Sequence, residues 1–248
     1  MAAPLWLTAR PIAHRGLHDR AKRVIENTCG AARAAIARDY AIECDVGLTL
    51  DEELIVFHDD RLERLTDGIG DIAEKTLSEI QSLHVKDTDE HIPSLQEFLN
   101  VIADRVPLVL EIKSRFDGET EIARLIAQCL GQYNGRIAIK SFDPEMIIAT
   151  RALMPDRPRG FIGESVYDDP EWDILSAERK AQLIALDDIN AMAPDFLSWY
   201  IKDLDQPNVQ MARYTLGLPV MSWTIRTNED REKAKNFADQ MVFEGFQP

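Results

Sequence analysis

Three cysteines in 248 residues, Cys29, Cys44 and Cys129, are too few and too irregularly spaced for a thiolate metal site. Their odd number also argues against a disulfide framework, so they read as reduced thiols and place the chain in the cytoplasm. No apolar run reaches the length of a membrane-spanning helix. Basic residues are scarce as well: 28 Lys and Arg against 43 Asp and Glu give a formal charge of −15. Nucleic-acid grooves and anionic membrane surfaces select for basic patches, so neither is expected as the main partner. Any phosphate handled by so acidic a chain must be drawn in by a bound cation or by a few well-placed Arg and Lys. Internal repeats and low-complexity linkers are missing too. The opening stretch, Met1 to Leu7, lacks the basic start and long apolar run of a cleaved leader, and its removal is not expected.

What is present is a globular composition, 45% hydrophobic and 29% charged, at a length close to that of one (β/α)₈ barrel. Short apolar runs alternate with segments of helical period, as in successive βαβ units. Eight runs read as strands: Ile12–Ala13, Ala41–Val46, Pro107–Lys113, Arg136–Phe142, Arg159–Gly163, Asp195–Trp199, Pro219–Ile225 and Gln240–Glu244. Helices are expected over Asn27–Arg38, Leu95–Asp104, Glu119–Leu130, Pro144–Leu153, Ala177–Leu186, Gln206–Leu216 and Asn228–Phe237. With no Gly-rich phosphate loop after the first strand, this order favours a closed α/β TIM barrel over a doubly wound sheet. Leu48–Leu50 and Leu54–Phe57 break the alternation and read as a hairpin around Asp51-Glu52-Glu53. Residues 46–92 are therefore expected as an insertion within a single 1–248 domain, with a turn at Asp67-Gly68-Ile69-Gly70 and a small helix over Leu77–Leu83.

Side chains two apart in a strand share a face. Glu43 and Asp45 therefore point one way and Cys44 the other, and Glu111 pairs with Lys113 in the same manner. Both pairs fall at carboxyl ends of apolar strands, where barrel enzymes place their chemistry. His14-Arg15 ends the first strand, and the hairpin returns His58 to the same rim. Three crowded carboxylates repel one another unless a cation neutralises them. Hard oxygen ligands in partial number suit Mg²⁺ or Ca²⁺ with a phosphate. Arg15 and Lys113 would balance charge on a phosphodiester, and His14 and His58 would serve as general acid and base. Taken singly, each signal has a bland reading: Glu-x-Asp as a solvated strand edge, Glu-x-Lys as a surface ion pair, Cys44 as a core residue. His18, His84 and His91 read as structural or exposed, and Trp199 and Trp223 as packing residues, although Trp223 falls at a rim position.

The motifs resemble the glycerophosphodiester phosphodiesterase family. The likeness runs through Ala13-His14-Arg15-Gly16, Glu26-Asn27-Thr28, Ile42-Glu43-Cys44-Asp45-Val46 and Thr49-Leu50-Asp51. It continues through Val56-Phe57-His58-Asp59, Leu62-Glu63-Arg64-Leu65-Thr66 with Gly70, Ile92-Pro93-Ser94-Leu95, Leu110-Glu111-Ile112-Lys113, Ser141-Phe142 and Ser222-Trp223-Thr224. The resemblance implies a (β/α)₈ barrel with a small insertion after the second strand. It implies hydrolysis of a small-molecule glycerophosphodiester to sn-glycerol 3-phosphate and an alcohol, by attack of the glycerol 2-hydroxyl or of water. His14 and His58 are then the acid–base pair, roles unassigned between them. Glu43, Asp45 and Glu111 hold one divalent cation, Mg²⁺ as the first expectation with Ca²⁺ or Mn²⁺ as alternatives, and Arg15 and Lys113 contact phosphate. Three positions depart from the family pattern: Ile25 replaces a proline, Glu52 a turn glycine, and Phe243-Glu244 a Thr-Asp pair. The last puts substrate fit or local capping in question at the closing strand. A phospholipase D-like action on lysophospholipids or sphingolipids and a catalytically silent binding barrel are the competing readings.

Overall fold

The computed structural model describes residues 3–248; Met1 and Ala2 lie outside the described residues. In chain order the elements are β1 (Ile12–Ala13), α1 (Cys29–Ile36), β2 (Ala41–Leu48), β3 (Leu54–Val56), α2 (Leu77–Gln81), α3 (Leu95–Ile102), β4 (Leu108–Ile112), α4 (Glu121–Leu130) and β5 (Ile137–Ser141). They continue with α5 (Pro144–Leu153), β6 (Arg159–Gly163), α6 (Ala177–Ala185), α7 (Ile189–Met192), β7 (Phe196–Tyr200), α8 (Pro207–Tyr214), β8 (Val220–Ile225), α9 (Asn228–Phe237) and β9 (Gln240–Phe243). β1 pairs in parallel with both β2 and β9, which closes eight parallel strands into a (β/α)₈ barrel. β3 pairs antiparallel with β2 and stands outside the ring. No helix among the described residues is long and apolar enough to cross a membrane.

The barrel strand expected to stop at Val46 runs on to Leu48, so one eight-residue strand serves both the barrel and the hairpin. Val46 to Leu48 pair with Val56 to Leu54, and that pairing carries the extended backbone past the ring. In the hairpin turn Glu52 adopts φ +60, the left-handed conformation, where the family pattern has glycine; the turn keeps its shape at a conformational cost of about 1–2 kcal/mol. The 46–92 segment has an apolar cluster of its own, with Ile55, Phe57, Leu62, Ile72, Ile80 and Ile92 packed on Ile25. Its helix α2 starts at a Thr76–Glu79 capping box and ends by Gln81, earlier than expected. α7 was not foreseen, because four residues carry too little period to be recognised.

Most apolar side chains fill the layer between the barrel and its helices. A second set lies inside the barrel: Ile12, Ala41, Val109, Ala138, Phe196, Met221 and Val242, with Leu7 against them. Gly160 makes room for this packing, since a Cβ there would meet the Phe196 ring at 2.2 Å. Two residues further along their strands, Glu43, Glu111 and Lys140 succeed Ala41, Val109 and Ala138 on the inward face. The barrel axis is thus apolar at the amino ends of the strands and charged at the carboxyl ends, the polarity that barrel enzymes use.

Candidate active site

A cavity of about 1250 Å³ opens at the carboxyl ends of the strands, and His14, Arg15, Asp45, His58, Glu111 and Lys113 all line it. Glu43 is fully buried beside them. One oxygen from each of Glu43, Asp45 and Glu111 lies within 4.8 Å of the others. The structure therefore brings together all seven residues singled out in the sequence. Cys44 faces the opposite way, into the apolar layer with Ala32 and Ala35, and burial pushes its thiol well above the usual range.

The turn after β1 shows why His-Arg-Gly occurs there. Gly16 has φ +79, and a Cβ on it would meet Ala31 at 2.8 Å, so only glycine fits both the conformation and the space. Arg15 also takes a left-handed φ of +55, a strained conformation kept where surrounding contacts demand it. Its backbone N–H donates to Glu43 Oε2 at 3.0 Å, while its guanidinium donates to Glu26 at 2.6 Å and lies 3.4 Å from Asp45. Asn27, left-handed as well, donates from its amide to Asp45 Oδ2 at 2.8 Å and so fixes one carboxylate edge.

Three cations answer the three carboxylates. Lys140 Nζ, buried, lies 3.0 Å from Glu43 and 3.2 Å from Glu111. Lys113 Nζ lies 3.2 Å from Glu111 and 3.7 Å from Asp45. Burial alone would raise the Asp45 carboxyl, but His58, Arg15 and Lys113 hold it well below the usual range. Glu111 is likewise held down against burial by Lys113 and Lys140. Both lysines are pushed the other way: burial would lower them, and the carboxylates raise them above that loss. The donor set of three carboxylate oxygens, with no sulfur or nitrogen ligand among them, fits a hard dication such as Mg²⁺ or Ca²⁺.

Each imidazole is braced by a carboxylate. His14 Nδ1 lies 2.8 Å from Glu244 Oε2, and His58 Nδ1 lies 2.8 Å from Asp59 Oδ1. Such a partner fixes the ring and its tautomer, which leaves Nε2 for proton exchange. His14 Nε2 is 4.0 Å from Glu43. Glu244 also meets Arg226 at 2.7 Å and His18 at 3.8 Å, and the histidines and Arg226 keep its carboxyl far below the usual range despite burial. The Glu244 departure noted in the sequence is thus a partner of His14. Asp59 is held in turn by Arg64, which also reaches Glu26.

Sequence reasoning missed Lys140, Asp59 and Glu244 as members of this network. The loops after the later strands, including Glu164 to Trp172, were expected to build the alcohol pocket but showed no specificity motif, so Glu164, Phe142, Trp172 and Tyr200, which with Trp223 line the far wall of the same cavity, were not singled out. His84 and His91 are exposed, as expected, and Trp199 is buried in the core.

Comparison with known proteins agrees with this geometry. The model of the "Glycerophosphoryl diester phosphodiesterase family" matches residues 14–243. A glycerophosphodiester phosphodiesterase of Caldanaerobacter subterraneus subsp. tengcongensis is 34% identical over 232 residues, covering 90% of this chain and 88% of that protein. One from Bacillus subtilis is 27% identical, covering 95% of this chain and 83% of that protein. A phosphodiesterase of Oleispira antarctica, solved with its product sn-glycerol 3-phosphate, superposes with a TM-score of 0.77 at 26% identity, over 94% of this chain and 91% of that one. A match of this extent, on a closed barrel whose charged end carries the family's motifs, establishes that the chain belongs to the glycerophosphoryl diester phosphodiesterase family and is a phosphodiester hydrolase.

Proposed function

We propose that the protein hydrolyses glycerophosphodiesters to sn-glycerol 3-phosphate and an alcohol, with one divalent cation at Glu43, Asp45 and Glu111 and with His14 and His58 moving the protons. One juxtaposition carries the proposal: three carboxylate oxygens within 4.8 Å of one another beside two imidazoles, each with its Nδ1 on a carboxylate. When bound, the cation (Mg²⁺ first, Ca²⁺ or Mn²⁺ as alternatives) stabilises the charge that develops on the phosphoryl oxygens.

The chain's own residues do the rest. Arg15 and Lys113 lie against Asp45 at the cavity surface, so they can turn from carboxylate to phosphate oxygens once a dication takes the carboxylates. Lys140 lies deeper and remains between Glu43 and Glu111, spacing them. One imidazole Nε2 takes the proton of the attacking water or glycerol 2-hydroxyl while the other delivers a proton to the departing alkoxide; on the 2-hydroxyl route, water then opens the cyclic phosphate to give glycerol 3-phosphate. His58 arrives from the 46–92 segment, which supports treating 1–248 as one functional domain with that segment as an insertion. The three free thiols, two of them half-buried and one buried, favour a reducing compartment such as the cytoplasm.

The test is an activity panel of Mg²⁺, Mn²⁺ and Ca²⁺ against glycerophosphocholine, glycerophosphoethanolamine, glycerophosphoglycerol and lysophosphatidylcholine, with glycerol 3-phosphate detected enzymatically for the first three and choline release for the last. Metal-dependent release of glycerol 3-phosphate is expected. Turnover of lysophosphatidylcholine alone would point to the phospholipase D-like alternative, and binding without turnover under any ion to a silent barrel.

A further inference from the structure

Opposite the carboxylate–histidine cluster, the cavity wall is built by β6, β7, β8 and the loops that follow β4, β5 and β6. Aromatic rings form an unbroken series there. Phe116 meets Trp172 at 6.1 Å between centroids, Trp172 meets Phe142 at 4.9 Å, Phe142 meets Trp223 at 5.6 Å, and Trp223 meets Tyr200 at 5.1 Å. All five line the cavity. Trp223 is pinned by its indole N–H, which donates to the Ser198 carbonyl at 3.1 Å.

Within this wall, just past the end of β6, stands Glu164. It is 7% exposed and lines the cavity. No Lys, Arg or His lies within ion-pair distance of it among the described residues. The indole N–H of Trp172 favours its charged form yet makes no hydrogen bond of normal geometry. The strongest charges acting on it are acidic: Glu171, Asp169 and Asp203. A carboxylate so deeply buried without a counter-charge is costly. Burial accordingly pushes its carboxyl up to about 7, with the acidic neighbours adding to the rise and Trp172 opposing it.

We infer that this side of the cavity is a subsite for the departing alcohol, selective for alcohols that carry an alkylammonium group, with Glu164 as counter-charge and Trp172, Phe142, Trp223 and Tyr200 as the wall. The inference rests on the phosphodiesterase reading above. An ammonium over aromatic faces is attracted by the ring quadrupoles, and a buried carboxylate beside them adds the ionic partner. One ring of the wall already faces a cation of the protein's own, with Lys202 Nζ 5.8 Å from the centre of the Tyr200 ring. A metal ion fits poorly as the missing counter-charge, because the acids on this side do not converge: among the described residues only Glu43, Asp45 and Glu111 form a ligand-like set. A neutral alcohol such as glycerol would leave Glu164 without an ionic partner.

The test compares kcat/KM for glycerophosphocholine with that for its uncharged isostere, glycerophospho-3,3-dimethylbutanol, in which carbon replaces the ammonium nitrogen. Release of glycerol 3-phosphate is the readout for both, with the metal at saturation. A preference for the cationic substrate of about tenfold or more is expected in the native protein. In Glu164→Gln that ratio should fall towards one, and the variant should melt no lower than the native protein at pH 8. Equal rates on the two substrates in the native protein would overturn the inference while leaving the phosphodiesterase reading intact. A Glu164→Gln variant that slows both substrates alike, with the ratio unchanged, would overturn it too. If neither diester releases glycerol 3-phosphate with any ion, the phosphodiesterase reading fails and this subsite falls with it.

Discussion

The two sides of the cavity treat buried charge in opposite ways. On the side of β1, β2 and β4, Glu43, Asp45 and Glu111 each lie against at least one of Arg15, Lys113 and Lys140, and both imidazoles are braced by carboxylates. On the side of β6 to β8, Glu164 lies beside Trp172 of the aromatic wall, with acidic neighbours and no cation within ion-pair distance among the described residues. Matched charges form a rigid frame in which one exchange, a dication for an ammonium contact, redistributes the partners without leaving a charge stranded. The unmatched carboxylate is the reverse: its environment improves when a positively charged ligand arrives. On the proposed reading, reaction chemistry belongs to the first kind of surface and selection among substrates to the second.

The comparison is broken most severely at the carboxylates. Glu43→Gln, Asp45→Asn or Glu111→Gln should lower kcat/KM by about 10³-fold or more, because several kcal/mol of charge stabilisation leave with the cation. EDTA should have the same effect and added Mg²⁺ should reverse it; undiminished turnover in EDTA would sink the metal assignment. His14→Ala and His58→Ala should each lower kcat by ~10²–10⁴-fold with the near-UV circular dichroism of the fold unchanged. A near-native rate in either would remove that histidine from the chemistry. Glu244→Gln should be milder, lowering kcat by about 10²-fold or less through loss of ring orientation at His14, with KM little changed. A shifted pH profile of kcat would separate this from a merely structural effect.

The smallest effect lies on the unmatched side and sharpens the contrast by its sign. With its folded pKa raised to about 7 from an ordinary 4.5, Glu164 keeps a proton in the folded protein that the unfolded chain loses between these values. Stability on its account is complete below about pH 4.5 and declines as pH rises to about 7. Glu164→Gln lacks that decline. Relative to the native protein it should gain roughly 1–3 kcal/mol at pH 8 and nothing at pH 4, measured as urea midpoints at the two pH values. A loss of stability at pH 8 would mean that the carboxylate has a structural partner.

The same contrast explains what the sequence made legible. The barrel strands are apolar runs bounded by polar residues, and their period-two parity placed Glu43 and Asp45 inward and Cys44 outward without coordinates. The residues of the charged frame lie in short, dense motifs, so local spacing located them. Lys140 was missed because it is a lone basic residue near the end of Ile137-Ala138-Ile139-Lys140-Ser141. Its parity with inward-facing Ala138 was the available signal. Glu164 follows Gly160 and Ile162 by the same rule; its loop was expected to help build the alcohol pocket, but the residue carried no motif that gave it a role. Of the aromatic wall, only Phe142 and Trp223 lay in recognised motifs, with Trp223 at a rim position, and nothing local joined them to the other rings. Its rings come from Phe116, Phe142, Trp172, Tyr200 and Trp223, spread over more than a hundred positions and joined only by barrel closure. Glu244 was visible as a departure from a pattern, but its partner is far away in the chain.

That distance has a consequence for how the molecule comes into being. His14 and Glu244 are separated by 230 positions and meet only where β9 docks beside β1. Until β9 docks beside β1, the His14 ring lacks its carboxylate brace. In the proposed mechanism, proton transfer at His14 therefore waits on closure of the barrel seam.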